Sequence, residues 1–328
     1  MNPSNAYPLK FIPQMVEKVW GGHKLNTLLN KESDKKIGES WELSGVSGHV
    51  SVVAEGLWKG TSLSTLIEKL KGNLVGDRVY ETFGNQFPLL FKFIDAAEDL
   101  SVQVHPDDDI AKSKHNSFGK AEMWYILQAD EEARLILGFE DSISKDAYLK
   151  RLSEGDLLSI LHEEPIKKGD AFYIPPGTVH AIGRGTLLAE IQQTSDITYR
   201  IYDWDRPDVN GTFRELHTKE ALEVAKLETA SSARLSYVPK ENEPVLLCES
   251  TFFYTSILQL TKTLKRDYRL LDSFVVLMCV DGEAEIITEN HQLSFKKGET
   301  VLIPACLGGL SLKGNQATIL EVSVPLKG

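Results

Sequence analysis

The sequence has few cysteines, no long apolar run and no surplus of basic residues. Its three cysteines, Cys248, Cys279 and Cys306, lie far apart and form no CxxC pair, which argues against a disulfide framework and against cysteine metal ligands. No stretch of about 18 uncharged apolar residues is present, so we expect no membrane-spanning helix. The first 20 residues lack an apolar run behind a basic start, so we expect no secretory signal. We therefore predict a cytoplasmic protein that does not associate with membranes.

The charge balance is acidic. The formal net charge is −11, whereas a protein that binds nucleic acid normally presents a basic face. A small anionic ligand is compatible, because a few Lys and Arg side chains in a cleft can outweigh a distant field. The 328 residues are 42% hydrophobic, enough for a core in two domains or in one larger β-rich unit. We expect a monomer or a weak homodimer that binds a small molecule and no nucleic acid.

Hydrophobic periodicity predicts a mainly β chain with a few added helices. Apolar residues at three- and four-residue spacing predict helices over 62–83, with breaks at Gly72 and Gly76, over 144–162 and over 214–227. Pro106 and the three aspartates after it predict a turn, and 228–244 is a polar stretch that we interpret as a linker. Short apolar runs predict strands at 87–94, 100–105, 122–127, 133–138, 171–174, 179–182, 187–192 and 198–202.

An internal repeat indicates two copies of one β-unit. The segments 167–175 and 296–304 both read Lys-Lys-Gly, an acidic residue, an apolar strand and then Ile-Pro. A single repeat at a spacing of about 130 residues is typical of two domains and not of a solenoid. We predict an N-terminal domain over residues 1–240 and a C-terminal domain over residues 241–328.

The first copy of the repeat is followed by a turn and then by a histidine. The stretch from Gly169 to His180 fits G-x5-P-x-G-x2-H, which resembles the second signature motif of the cupin superfamily and implies two cupin (jelly-roll) β-barrels. Pro175 and Gly177 bend the chain so that His180 points into the barrel. After Pro304 the second copy has no histidine, so we predict a degenerate C-terminal cupin without metal.

Upstream residues complete a predicted metal site. The cupin pattern has an H-x-H pair and a glutamate, and here Gln103-Val104-His105 and Glu122 hold those positions. Residues two apart on a strand face the same side, about 6.6 Å apart, so both can reach one ion. The imidazoles of His105 and His180 with the Glu122 carboxylate suit zinc or non-haem iron, and the spacing leaves both open. By residue type alone Gln103 is a buried hydrogen-bonding side chain, because glutamine is an unusual zinc ligand.

Longer motifs resemble type I phosphomannose isomerase (mannose-6-phosphate isomerase) in its short bacterial form. The resemblance is strong over residues 8–210 and weak beyond them. Its most specific parts are the Q-x-H-P-D-D run that starts at Gln103 and the K-x-E-x-W run that starts at Lys120. The other motifs that carry it are Trp20–Gly22, Gly38–Glu42, Phe87–Asp95, 174–181 and 190–203.

The resemblance assigns roles to residues that spacing alone left open. It implies one zinc ion (Zn2+) per chain, held by Gln103, His105, Glu122 and His180, so that Gln103 becomes the fourth ligand. One carboxylate and three neutral ligands leave the site with a charge of about +1, which keeps the ion a useful Lewis acid. The remaining implied positions are an essential arginine at Arg200, phosphate binding at Ser101 and Lys120, and a catalytic-site lysine at Lys92.

The implied reaction interconverts mannose 6-phosphate and fructose 6-phosphate through a cis-enediol. It needs a base for the proton on C2, charge stabilisation at the enediolate and a phosphate anchor. Glu190 and Lys92 are the candidate bases, with Asp203 and Glu42 behind them, and a depressed pKa would suit Lys92. The alternative for Glu190 is a hydrogen bond to a metal ligand. Arg200 can neutralise the enediolate or bind the phosphate.

Two other functions use the same ligand types. An iron cupin dioxygenase would favour an apolar pocket and has no need of Lys92, Lys120 and Arg200. A non-catalytic sugar-binding cupin would bind its ligand without turnover. Metal analysis and an isomerase assay distinguish the three.

Overall fold

The computed structural model describes residues 6–229 and 233–325, and strands make up most of its regular structure. None of its helices is both long and apolar enough to cross a membrane. The helices are α1 (Lys24–Leu29), α2 (Leu63–Leu70), α3 (Gly72–Val75), α4 (Asp77–Phe83), α5 (Asp108–His115), α6 (Lys145–Ser153) and α7 (Thr218–Val224). The strands of the first half are β1 (Leu9–Lys10), β2 (Gln14–Gly22), β3 (Ile37–Leu43), β4 (Leu89–Ala96), β5 (Val102–Val104), β6 (Glu122–Ala129), β7 (Arg134–Phe139), β8 (Leu161–Pro165), β9 (Ala171–Ile174), β10 (His180–Ile182), β11 (Thr186–Gln193) and β12 (Tyr199–Tyr202). Those of the second half are β13 (Pro244–Glu249), β14 (Tyr254–Leu260), β15 (Leu264–Asp267), β16 (Val275–Asp281), β17 (Glu283–Ile287), β18 (Gln292–Lys296), β19 (Thr300–Ile303), β20 (Gly309–Gly314) and β21 (Ala317–Ser323).

The helical segment 62–83 is confirmed as three short helices, α2 to α4. Gly76 separates the last two with a φ of 98°, and an added Cβ there would lie 2.1 Å from the Asp272 carbonyl oxygen. Only glycine fits that position without strain. The helices in 144–162 and 214–227 are shorter than predicted, because the first segment continues as a 3₁₀ turn and β8.

The predicted turn after Pro106 is wrong, since α5 begins there. The Asp107 side chain accepts a hydrogen bond from the Ile110 N–H and so caps the first turn of the helix. Acidic residues follow in that first turn and basic residues fill the last, which favours the helix dipole at both ends. This charge pattern is typical of a helix, whereas Pro106 before it is typical of a turn, which is why the sequence favoured a turn.

The strands form four sheets, two in each half of the chain. β1 is an exception, because its Leu9 pairs with Leu302 of β19 in the second half. The strand orders are β2-β3-β4-β11-β6-β9 and β12-β5-β10-β7-β8 in the first half, and β1-β19-β16-β21-β14-β13 and β15-β20-β17-β18 in the second. The mainly β fold class is confirmed. The division into residues 1–240 and 241–328 stays a prediction, and the predicted linker falls partly on 230–232, outside the described residues.

In the described part of the chain, three of the hydrophobic cores lie between facing sheets. One core joins the two sheets of the first half and contains Ile126 and Leu135. A second joins the two sheets of the second half and contains Leu277 and Phe295. The largest lies between the two six-stranded sheets, where residues such as Phe91 share one cluster with side chains of the second half. The two halves are therefore packed against each other through apolar side chains.

The alternation of side chains along a strand directs polar groups into the first half. Phe91 and Phe93 of β4 belong to the largest core, so Lys92 between them points to the opposite face. The same alternation turns Glu190 of β11 and Glu122 of β6 toward that face, between the two sheets of the first half. All three side chains are buried there.

Candidate metal and catalytic site

Three buried side chains meet at the ends of β5, β6 and β10. His105 directly follows β5, Glu122 opens β6 and His180 opens β10. Their ligand atoms all lie within 4.8 Å of one another. His105 Nε2 is 3.3 Å from Glu122 Oε1, and His180 Nε2 is 3.8 Å from Glu122 Oε2. The structure thus brings together the three residues that the cupin spacing predicted.

The turn before His180 depends on glycine. Gly177 has a φ of 86°, and an added Cβ would lie 2.8 Å from the Val224 carbonyl oxygen. Its N–H donates to the His105 carbonyl oxygen at 2.9 Å, which ties the turn to the end of β5. His180 then pairs with Gln103 across the sheet. The glycine of the motif therefore sets the distance between the two histidines.

Both histidines are held in the tautomer that a metal ligand needs. The Nδ1 atom of His105 lies 2.9 Å from the Ile197 carbonyl oxygen, and that of His180 lies 2.8 Å from the Thr178 carbonyl oxygen. Each Nδ1 therefore carries the proton, so that each Nε2 presents a lone pair, with Lys120 Nζ 3.1 Å from that of His105 and Gln103 Nε2 3.3 Å from that of His180. Burial, aided by the Lys120 ammonium, lowers the pKa of His105 to about 3, and burial also lowers the pKa of His180. Both rings are neutral at physiological pH.

The Glu122 carboxylate fits a cation. Its side chain is 1% exposed, and within the described part of the chain neither oxygen receives an aligned hydrogen bond. Lys120 Nζ lies 2.8 Å from Oε1. Burial raises the pKa of Glu122, but opposing interactions, the Lys120 ammonium first among them, outweigh burial and hold the pKa well below its usual range. A buried carboxylate beside two unprotonated imidazole nitrogens is the donor set of a divalent metal site, so these residues fit the metal that the family resemblance implies.

Gln103 and Ser101 border this cluster. The Gln103 Nε2 atom lies 3.3 Å from His180 Nε2, and the Ser101 hydroxyl donates to Gln103 Oε1 at 3.3 Å. Ser101 is buried and Gln103 is half-buried. Both predicted site residues therefore lie at the candidate metal site, while their roles as ligand and phosphate-binding residue stay predictions.

A second polar cluster lies next to the first. Lys92 Nζ is 2.9 Å from Glu190 Oε2 and donates to Gln192 Oε1 at 2.8 Å. The Trp124 indole N–H donates to Glu190 Oε1 at 3.0 Å. The same indole packs edge-on against the His180 ring, with 5.5 Å between ring centroids. Trp124 thus connects the Lys92–Glu190 pair to the candidate metal ligands.

The pKa of Lys92 is raised, whereas a base role would be suited by a depressed one. Burial lowers that pKa, but the carboxylates of Glu190 and Glu39 outweigh burial and raise it above its ordinary value. Burial raises the pKa of Glu190, with Lys92 opposing and Glu122 adding to the rise. A carboxylate with a raised pKa suits a general base near neutral pH, whereas a lysine with a raised pKa stays charged. These pKa directions suit Glu190 better than Lys92, and the catalytic role of each residue stays a prediction.

Glu39 and Trp41 lie next to Lys92 in this cluster. The sequence analysis had assigned neither residue a role in the site. The Trp41 indole N–H donates to Glu39 Oε2 at 2.6 Å, and Lys92 Nζ lies 5.0 Å from the Trp41 ring centroid. Burial raises the pKa of Glu39, but Lys92, Lys18 and the indole N–H outweigh it and lower the pKa to about 2. The signal in Gly38–Glu42 was the two-residue spacing of Glu39 and Trp41, which puts both on one face of β3.

The two remaining base candidates are engaged elsewhere. Glu42 is 2.8 Å from Lys31 Nζ and accepts from the Ser40 hydroxyl. Asp203 receives two hydrogen bonds from the Arg214 guanidinium. Each carboxylate is paired with a cation other than Lys92, and a base role for either residue stays a prediction.

Arg200 lies beside the candidate metal site on the neighbouring strand. It pairs with Gln103 across β12 and β5, and its Nη1 donates to the Glu215 carbonyl oxygen at 2.9 Å. Its buried Nε has no hydrogen-bond partner within residues 6–229 and 233–325. The structure thus brings Arg200 next to Gln103 with a donor to spare, and its essential role stays a prediction.

Facing β-sheets around a buried His–Glu–His cluster define a cupin-type β protein with a candidate metal site. Residues 9–136 match the family model of the phosphomannose isomerase type I catalytic domain, and residues 246–323 match that of the mannose-6-phosphate isomerase cupin domain. Mannose-6-phosphate isomerase ManA of Bacillus subtilis is 37% identical over 320 residues, which cover 96% of this chain and 98% of the relative. The chain belongs to the type I phosphomannose isomerase family and is an enzyme of that family.

Two further comparisons agree over nearly the whole chain. Mannose-6-phosphate isomerase of Streptococcus mutans is 34% identical over 324 residues, covering 97% of this chain and 99% of the relative. The crystal structure of mannose 6-phosphate isomerase from Bacillus subtilis superposes with a TM-score of 0.87 at 31% identity and covers 96% of this chain and 99% of that one. The family resemblance that the sequence motifs predicted is confirmed, including the half that the motifs matched weakly.

Proposed function

We propose that this chain is a zinc-dependent aldose–ketose isomerase that interconverts mannose 6-phosphate and fructose 6-phosphate through a cis-enediol. The observation that carries the proposal is the adjacency of two polar groups between the same two sheets. One is the His105–Glu122–His180 cluster, and the other is the Lys92–Glu190 pair. The relatives named mannose-6-phosphate isomerase support the choice of substrate.

His105, Glu122 and His180 would hold the ion, with the Gln103 carboxamide as a fourth, neutral donor. The unprotonated Nε2 atoms of both histidines and the Glu122 carboxylate without an aligned donor among the described residues support this set. When bound, zinc supplies a Lewis acid for the oxygens of the sugar.

Glu190 would take the proton from C2 and return it to C1 of the enediol. Burial raises its pKa, which brings its proton affinity closer to that of a base working at neutral pH. Glu190 pairs across the sheet with Trp124, two residues from Glu122, so the two carboxylates start from Cβ atoms roughly 7 Å apart. Lys92, which stays charged, would donate to the oxygen where negative charge develops.

Ser101, Lys120 and Arg200 would bind the phosphate or the enediolate. The Lys120 ammonium adds a point charge, and Arg200 offers a planar fork that can grip an oxyanion with two N–H groups. The partnerless Nε of Arg200, within the described residues, supports a ligand contact there. An iron dioxygenase would not need three such cationic or hydroxyl groups.

A chelator-controlled assay tests the proposal. Purified protein loaded with zinc is given mannose 6-phosphate, and fructose 6-phosphate is measured by a coupled reaction. We expect activity that a chelator abolishes and zinc restores. Recovery with iron(II) alone, together with oxygen consumption, would favour the dioxygenase, and sugar binding without turnover would favour the binding cupin.

The Arg200→Ala variant separates substrate binding from metal binding. We expect activity to fall by about 100-fold or more while metal content persists, because Arg200 lies beside the ligands and is not one of them. Arg200→Lys, which keeps the charge and loses the fork, is the matched variant and should recover little activity. Loss of metal in Arg200→Ala would contradict this assignment.

Three predictions from the sequence remain proposals. They are the cytoplasmic location, the monomer or weak homodimer, and the division into a metal-binding unit over 1–240 and a metal-free unit over 241–328. Light scattering tests the second, and metal analysis of His180→Ala and Gly309→His tests which of the two units binds metal.

A further inference from the structure

The three residues that carry Lys120 into the site are held at their backbone from two sides. This segment, residues 119–121, lies between α5 and β6. The Gly119 N–H donates to Asp108 Oδ1 at 2.8 Å, and the Ala121 N–H donates to Gln193 Oε1 at 3.0 Å. The Lys120 N–H donates to the Pro106 carbonyl oxygen at 3.1 Å. Each N–H of the segment is therefore satisfied by a group outside it.

Asp108 and Gln193 are also bonded to each other. The Gln193 Nε2–H donates to Asp108 Oδ1 at 2.9 Å, so this one carboxylate oxygen accepts from both the segment and the carboxamide. The Gln193 backbone N–H donates to the Ala121 carbonyl oxygen at 3.2 Å. Gln193 is 4% exposed, and Asp108 lies at the exposed start of α5. The start of α5 and the end of β11 thus close around the segment.

Gly119 allows the segment to lie directly against α5. An added Cβ would be 2.6 Å from the Asp107 carbonyl carbon and 2.6 Å from the Asp108 nitrogen, both of them backbone atoms. Backbone atoms at the start of a helix cannot move aside as a flexible side chain can. The close approach brings the Gly119 N–H to the Asp108 carboxylate.

This anchoring matters because the Lys120 side chain is long and has several rotatable bonds. Its ammonium lies 2.8 Å from Glu122 Oε1 and 3.1 Å from His105 Nε2. A lysine tip keeps such a position only if its backbone is fixed, since each backbone shift is passed to the end of the side chain. Neither the Asp108 nor the Gln193 side chain is bonded to a candidate metal ligand within the described residues.

We propose that Asp108 and Gln193 are positioning residues that fix the Lys120 ammonium for binding of the substrate phosphate. The inference rests on the proposed function only in assigning phosphate to Lys120. The hydrogen bonds that fix the segment are independent of it.

Amide hydrogen exchange tests the anchoring without any enzyme assay. In Asp108→Ala we expect exchange in a peptide covering residues 117–122 to rise by about tenfold or more, because the Gly119 N–H loses its acceptor. Asp108→Asn keeps an Oδ1 acceptor and should exchange like the wild type. Asp107→Ala is the matched control, because Asp107 caps α5 through the Ile110 N–H and does not bond to the segment, so exchange should rise in α5 alone.

Kinetics test the consequence for substrate binding. In Asp108→Ala we expect KM for mannose 6-phosphate to rise by about tenfold, with kcat and metal content nearly unchanged, since a misplaced phosphate contact weakens substrate and transition state alike. Gln193→Glu should also raise KM, because it places a second carboxylate against that of Asp108 and removes the carboxamide donor. Adding Asp108→Asn to Gln193→Glu should restore KM, since the asparagine Nδ2 can donate to the new carboxylate.

The outcomes separate this inference from the proposed function. Wild-type protein without isomerase activity, but with the expected change in exchange, would overturn the proposed function and leave the anchoring in place. Unchanged exchange in Asp108→Ala would overturn the inference, as would unchanged KM despite faster exchange. Loss of metal, or absence of rescue in the double variant, would also overturn it, because both indicate general damage to the fold.

Discussion

The two halves of the chain build matching sheets and fill them with different side chains. His180 pairs with Gln103 in the first half, and Gly309 pairs with Asp267 at the same point of the second. The other matching positions follow from strand pairing, starting at Ile174 in the first copy of the repeat and at Ile303 in the second. The matching positions are Gln103 and Asp267, His105 and Arg269, Glu122 and Val275, His180 and Gly309, Lys92 and Ser256, and Glu190 and Glu321.

Glutamate is the only residue type that the two sets share, and its surroundings differ. Glu321 receives two hydrogen bonds from Arg266, at 3.0 and 2.6 Å, and a third from the Tyr268 hydroxyl. The matching Glu190 accepts from the Trp124 indole N–H at 3.0 Å and lies 2.9 Å from Lys92 Nζ, but its Oε2 receives no aligned hydrogen bond within the described residues. A buried acid whose oxygens are all bonded serves stability, whereas a buried oxygen without an aligned donor is costly unless a ligand completes it. The same register therefore supports a closed core in one half and an open donor set in the other.

Loss of a metal ligand should have the largest effect. In His180→Ala we expect isomerase activity to fall by more than about 1000-fold and bound metal to fall with it, because the donor set loses an imidazole. Metal analysis and the coupled assay measure both. The matched variant is Gly309→His, which has space for a side chain, with the nearest atom 3.8 Å from an added Cβ. It should bind no additional metal, since Val275 holds the place of the carboxylate, and a second bound ion would contradict the comparison.

The paired glutamates should separate activity from stability. In Glu190→Gln we expect activity to fall by roughly 100- to 1000-fold with little change in the free energy of unfolding, because the proposed base is removed while the volume is kept. In Glu321→Gln we expect the free energy of unfolding to fall by about 2 kcal/mol, because Arg266 loses its anionic partner, with specific activity nearly unchanged. Denaturant unfolding and the isomerase assay on both variants give the test. Equal losses of activity would show that the halves are not specialised.

Acid should destabilise the first half through Glu39, whose matching position in the second half is Pro244. The pKa of Glu39 is about 2 in the folded chain against an ordinary 4.5, a stabilisation of up to about 3 kcal/mol. This contribution is complete above pH 4.5 and is lost as the pH falls from 4.5 to 2. We expect Glu39→Gln to be less stable at neutral pH and to show a shallower loss of unfolding free energy over that range. Parallel pH curves for variant and wild type would contradict the pKa.

The smallest effect is expected at Asp267, which holds the place of Gln103. Its ion pair with Arg269 is exposed, with 55% and 75% of the two side chains accessible. Exposed ion pairs contribute little and are screened by salt, so Asp267→Asn should leave the midpoint of thermal unfolding unchanged at both low and high ionic strength. The matched Gln103→Asn should weaken metal binding instead. A clear drop of the midpoint in Asp267→Asn would mean that the second half depends on this position more than its exposure suggests.

The candidate ligands could be predicted from the sequence because local rules place them. Two-residue alternation puts Gln103 and His105 on one face, and a glycine turn carries His180 back to the same strand end. Asp107 and the charge pattern after it also predict the α5 helix, although Pro106 just before them is typical of a turn. These features depend on a few consecutive residues, whose conformations follow from their own side chains.

The state of Lys92 could not be predicted in the same way. Its pKa depends on Glu190 and Glu39, which lie about 100 and 50 positions away in the chain and reach it only through strand pairing. The contact of Trp41 with Lys92 and the hydrogen bond between Asp108 and Gln193 likewise join elements that are distant in the chain. A pKa responds to every charge within a few ångströms, and sequence separation does not report that distance.

Patterns among neighbouring residues were enough to predict a repeated, mainly β chain, the types of the candidate ligands, the half that holds them and the family resemblance. Strand periodicity, turn glycines and motif spacing are properties of neighbouring residues, so they can be read without coordinates. The partner of each buried carboxylate and the raised pKa of Lys92 follow from the tertiary structure instead. Those outcomes depend on the register between distant strands, because that register brings each charge to its partner or leaves it without one.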